Sequence, residues 1–117
     1  MKVFRWFDTA EIDEIASWMV SELAARVPPS ALAADTQKAA VKLRNAHEAI
    51  FARARKLART QKLNIYKKAR FGNQFRWGLR DAGYPPEFVE SWTRDLVTVI
   101  TVDSATVKSS NERPGSS

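Results

Sequence analysis

Apolar residues return every three to four positions over four stretches of the chain, the period of helices with one buried face. Ile12, Ile15, Ala16, Met19, Leu23 and Val27 make the first stripe, with Asp13, Glu14 and Ser17 on the opposite side. Asp8-Thr9-Ala10-Glu11 has the form of a capping box, in which Asp8 accepts an unpaired backbone N–H and Glu11 reaches back to the Asp8 amide. A helix is expected to start there and to stop at Pro28-Pro29.

Ser30 or Asp35 can cap the next helix, whose stripe runs Ala39, Leu43, Ala46, His47, Ile50, Ala54, Leu57 and Ala58. Its far side carries Lys38, Arg44, Arg55, Lys56 and Arg59. A third stripe reads Ile65, Ala69, Gly72, Phe75, Leu79 and Ala82, closed by Gly83, which suits the left-handed position past a helix end, and then by Pro85-Pro86. The two stripes stay nearly in phase across Thr60 to Asn64, so periodicity leaves open whether residues 36–82 are one helix or two. One helix would be about 70 Å long at ~1.5 Å per residue and would need a partner along its length. Ordinary helix lengths favour a break, with Asn64 as the cap.

Pro86 suits the first turn of a last helix that presents Phe88, Trp92, Leu96, Val99 and Ile100 on one face. From Leu96 to Val102, Thr98 and Thr101 stand among mostly branched apolar residues, so a short strand or a frayed last turn competes with helix there. Asp103 to Ser117 is rich in serine and poor in apolar residues and reads as a flexible tail. Phe4, Trp6 and Phe7 form an aromatic cluster on an extended segment that packs on the bundle. The expected fold is all-α: one domain over residues 1–102, a small bundle of about four helices with an aromatic N-terminal segment, and a flexible tail over 103–117.

Charge changes this picture more than composition does. The 117 residues carry a net charge of +6, and all of that surplus comes from one segment. Residues 1–50 hold 6 cations against 7 carboxylates and residues 81–117 hold 3 against 6, whereas residues 51–80 hold 10 cations and no carboxylate. Such a run repels itself unless a polyanion or nearby carboxylates neutralise it. The simplest account sets the acidic first helix, with Asp8, Glu11, Asp13, Glu14 and Glu22, beside the basic segment.

The functional account is nucleic-acid binding through the face built from residues 51–80. Tyr66, Arg70, Asn73 and Trp77 follow one another at i, i+4, i+7 and i+11, away from the third apolar stripe, flanked by Lys67 and Gln74. Arg59, Lys62, Lys67, Arg70 and Arg76 would meet phosphates, and Tyr66, Asn73, Gln74 and Trp77 would stack on bases or bond their edges. Against this, aromatic residues at helical spacing commonly serve a core. The alternative is a protein-interaction or assembly module, whose basic face docks an acidic partner or whose long helices form a homodimer. An anionic membrane surface is a weaker third reading, since the apolar stripes are needed for the bundle.

Catalysis and cofactors are not expected. The chain has no cysteine, which excludes thiol chemistry and disulfides and fits a reducing compartment. His47 is the one histidine, on an apolar stripe where a core role bonded to a carbonyl is expected, and no clustered spacing suggests a metal site. Glycine stands only at 72, 78, 83 and 115, so no phosphate-binding loop can be written. Gly72 and Gly78 each cost a helix up to ~1 kcal/mol relative to alanine, which implies a close approach by a neighbouring helix or a phosphate backbone. The N-terminus is interrupted by charge and apolar runs are short, so a soluble cytoplasmic protein is expected.

Overall fold

The computed structural model describes residues 9–61 and 63–112, and of residues 103–112 the backbone. These form five helices and no strand: α1 (Ala10–Arg26), α2 (Pro29–Ala34), α3 (Gln37–Thr60), α4 (Ile65–Ala82) and α5 (Pro86–Glu112). The all-α bundle is the expected one, with the short α2 added where two prolines end α1.

The boundaries follow from side chains near each end. Thr9 precedes α1, but its hydroxyl donates to Asp13 at 3.2 Å and makes no backbone cap. Asp8 and the Phe4, Trp6 and Phe7 cluster lie outside the described residues. Neither Ser30 nor Asp35 caps α3. Pro29 starts α2 at a position where the missing amide costs nothing, and Asp35 ends α2 in the left-handed conformation at φ 53°. Thr36 is the cap instead, its hydroxyl oxygen accepting from the Ala39 amide at 3.0 Å.

Asn64 accepts from the Lys67 amide at 2.7 Å, which starts α4 and makes residues 36–82 two long helices. Gly83 takes φ 99° after α4, as expected. The stretch from Leu96 to Val102 is helical, and the backbone of α5 runs on to Glu112. No proline or glycine interrupts the chain between Pro86 and Pro114, so nothing in the sequence stops the helix at 103. Residues 113–117 lie outside the described residues.

The four long helices alternate around a ring. α1 packs on both α3 and α4, α5 packs on the same two, and the members of each pair face one another across the core. Met19 and Leu23 meet Ile50, Phe51, Phe71, Phe75, Leu79, Leu96 and Ile100 there, all fully buried. Phe51 and Phe75 cross at 6.3 Å and 85°, joining α3 to α4 through the middle. Phe51 also meets Trp92 edge to face at 5.5 Å, and Trp92, Phe88 and Tyr84 stack in series at 5.0 Å. Tyr84 then donates its hydroxyl to the Val27 carbonyl at 2.7 Å, which ties the α4–α5 connection to the end of α1; burial pushes this phenol up to about 12.

The buried stripe of α4 is rotated from the expected one. Phe71, Gly72, Phe75 and Leu79 point inward, while Ile65 is 84% exposed and Ala69 and Ala82 are also outside. Leu63, just before the Asn64 cap, takes the core position that Ile65 would have filled. In α3 the expected stripe is buried from Ala46 onward apart from a half-buried His47, and it gains Phe51, whereas Leu43 is only half-buried.

Neighbouring helices account for both mid-helix glycines. A Cβ on Gly72 would sit 3.2 Å from a Val97 methyl of α5, and one on Gly78 would sit 2.8 Å from a Val20 methyl of α1. Val20 is β-branched and stiff, so it yields poorly to an added methyl. Gly78→Ala should therefore lower stability by about 1 kcal/mol, the overpacking outweighing alanine's helix preference. In a Val20→Ala background the same change should be neutral or stabilising. Urea denaturation of the four proteins checks this, and a Gly78→Ala single variant more stable than the parent would refute the close approach.

Candidate nucleic-acid interface

α4 turns Tyr66, Asn73 and Trp77 to solvent, with Tyr66 42% and Trp77 54% exposed. The Arg80 guanidinium lies over the Trp77 ring at 5.2 Å, a cation–π contact. The arginines beside this outward stripe point elsewhere. Arg70 grips Asp13 of α1 at two points, Nε to Oδ1 at 3.1 Å and Nη2 to Oδ2 at 3.0 Å. Arg76 donates from Nε and Nη2 to one Glu90 oxygen of α5, at 3.1 and 2.5 Å. Its two central arginines thus bind the helix to its acidic neighbours on either side.

The Arg70 hydrogen bonds hold the Asp13 carboxyl below the usual carboxylate range; partial burial opposes them, and Thr9 and Gln74 add smaller hydrogen-bonding contributions in the same direction. The same pair raises Arg70 above its ordinary value. Gln61 donates to Glu11, a further link between the end of α3 and α1.

α3 is arranged differently. It carries seven cations, Lys38, Lys42, Arg44, Arg53, Arg55, Lys56 and Arg59, against the single carboxylate of Glu48. Arg53 lies over Trp18 of α1 at 4.7 Å. Lys38, Lys42, Lys56 and Arg59 are exposed, and their side chains make no ion pair or hydrogen bond among the described residues. At 100° per residue these four fall within about 100° of one another on the outward face. The residues singled out in the sequence therefore divide. Arg59 belongs to the outward face of α3, and Tyr66, Asn73 and Trp77 to the outward face of α4 across the bundle. Arg70 and Arg76 are engaged, Lys67 and Gln74 are half-buried, and Lys62 lies outside the described residues. Lys38 and Lys56 stand on the far side of α3 in the sequence, and Lys42, four residues after Lys38, completes the other half of the outward face.

His47 is half-buried rather than enclosed, and its partner is a carboxylate instead of a carbonyl: Nε2 lies 3.2 Å from Asp95 Oδ2 of α5. No group of three or more metal-ligating side chains occurs among the described residues, and no helix there is long and apolar enough to cross a membrane. Comparison with protein-family models, curated proteins and solved structures finds no match.

The Asp13–Arg70 pair sets an acid dependence. A carboxyl whose pKa is lowered on folding adds stability above its unfolded pKa of about 4, and that stability disappears as pH falls through the lower folded value. Asp13→Asn should therefore be less stable than the parent at pH 7, with the difference closing below about pH 4. Urea midpoints from pH 2.5 to 7 measure this, and a difference that does not change with pH would show that the pair contributes no charge interaction.

Proposed function

We propose that the protein is a non-catalytic nucleic-acid-binding protein whose phosphate contacts come from the outward face of α3. The observation that carries this reading is the row of exposed, unpaired cations at Lys38, Lys42, Lys56 and Arg59 on a helix with one carboxylate. Within the fold, α1 and α5 supply carboxylates to α4, while the outward side of α3 is left to solvent. Four cations spread over six turns of helix match a phosphate backbone better than one compact anion, and their release of counterions makes binding salt-dependent. Tyr66, Asn73 and Trp77 lie on the far side of the bundle, so they contact bases only on a strand that passes around the α3–α4 connection, where Arg59 and Lys67 stand.

A second reading rests on α4: Tyr66 and Trp77, large aromatic residues eleven positions apart on its outward face, are left exposed and suit the docking of another protein.

Fluorescence anisotropy against labelled duplex DNA and single-stranded RNA across a salt series separates the two. Affinity should fall log-linearly with salt, and Lys38→Glu/Lys42→Glu/Lys56→Glu should lower it at least ~100-fold at low salt, while Trp77→Ala leaves duplex binding within a few-fold. Absence of binding at low salt, or binding that survives the triple reversal, would overturn the proposal.

A further inference from the structure

On the flank of α3 that faces α5, apart from its outward lysines, the two helices leave an open groove of about 450 Å³. That volume lies in the range of small-molecule sites, ~300–1,000 Å³. Ala40, Leu43 and Trp92 give it apolar walls, and His47 lies on its floor. The imidazole is fixed in place: it stacks on Phe51 at 4.1 Å and 5°, meets Trp92 edge-on at 4.8 Å, and is bonded to Asp95 at 3.2 Å.

The cations sit toward the ends. Arg44 and Arg55 both line the groove and stand eleven residues apart on one side of α3, about 16 Å along its axis. Glu48, which is exposed, lines the groove between them in sequence. Arg55 is half-buried and makes no ion pair among the described residues. A guanidinium partly withdrawn from water beside an apolar wall is suited to a planar anionic group, which it can bond at two points.

We propose that this groove binds a small amphipathic anion, a flat apolar body carrying one carboxylate or phosphate. The body lies against Trp92, which packs on His47 and Phe51, and the anionic group meets Arg55, one turn of α3 beyond Phe51. Length discriminates among ligands: with Arg44 and Arg55 about 16 Å apart along α3, a molecule of two fused rings meets one guanidinium and not both.

His47 is the single histidine of the chain, so its ring resonances report on the groove without assignment of the rest. The test is a titration with 2-naphthoate, followed by the His47 imidazole signals in a proton–carbon correlation spectrum, with 2-naphthamide as the uncharged analogue. Naphthoate should shift the His47 signals saturably at micromolar to low millimolar concentration. Naphthamide and the Arg55→Gln variant should each weaken binding about tenfold or more, as expected for loss of one charge-assisted pair. The free Arg55→Gln protein should retain the parent His47 shifts, which shows the groove intact. Lys38→Glu/Lys42→Glu, on the outward face, should leave the titration within about twofold, excluding general attraction of anions to α3. Unshifted His47 signals at millimolar naphthoate, or equal binding of naphthamide, would overturn the proposal. So would Arg55→Gln binding as tightly as the parent.

Discussion

Ten cations with no carboxylate among them, between residues 51 and 80, must be folded into a bundle whose neighbouring helices lie about 10 Å apart. Two such helices packed side by side would repel along their whole length. The arrangement found here avoids that contact. α3 and α4 face each other across the core, and each is set between α1 and α5, which carry the carboxylates. Asp13 and Glu90 reach α4 from its two sides through ion pairs with Arg70 and Arg76, and Asp95 reaches α3 through a hydrogen bond with His47. Exposed ion pairs contribute little to stability individually, so their role here is better described as choosing among packings. An exchange of neighbours would set like charges together, which disfavours it.

The core accepts this order because its contacts run diagonally as well as around the ring. Phe51 of α3 and Phe75 of α4 meet in the centre, so the two basic helices share apolar surface while their charged sides point apart. α4 comes close to both acidic neighbours because it has glycine where each approaches, Gly72 against Val97 and Gly78 against Val20. The same helix has the two-point ion pairs, so close backbone approach and charge pairing support one another. α3 makes fewer such pairs, and its outward lysines remain unneutralised. The phosphate-binding surface proposed for the protein is what the alternation leaves uncancelled.

Much of this order was legible in the sequence, because each helix has a strong apolar period and recognisable ends. Asn64 and Gly83 mark the limits of α4 through chemistry that is local to them, the side-chain cap and the left-handed turn. Thr36 does not stand out as the cap of α3, because Asp35 beside it is an equally good cap by type and only the left-handed backbone at Asp35 decides between them. Ile65 keeps the period of a core residue. Leu63 displaces it, a choice made by the tertiary fit of the connection. The candidate site was less legible for a related reason. A run of cations has no direction until the helices are placed, and periodicity does not say which helix packs on which. Arg70 and Arg76 look like phosphate ligands in one dimension and become ties to α1 and α5 in three. His47 reads as a core residue from its stripe, and its place on an open groove follows from Asp95, 48 residues away.

The alternation of acidic and basic helices is the claim on which the rest stands, and exchanging one pair of charges across the α1–α4 boundary tests it most directly. Asp13→Lys, Arg70→Glu and the double variant would be compared by urea denaturation at pH 7 and low salt. Each single reversal should lower the midpoint, and the double variant, which restores opposite charges in swapped order, should recover most of the loss. A double variant as unstable as the summed effects of the singles would show that charge does not select the neighbours in this bundle.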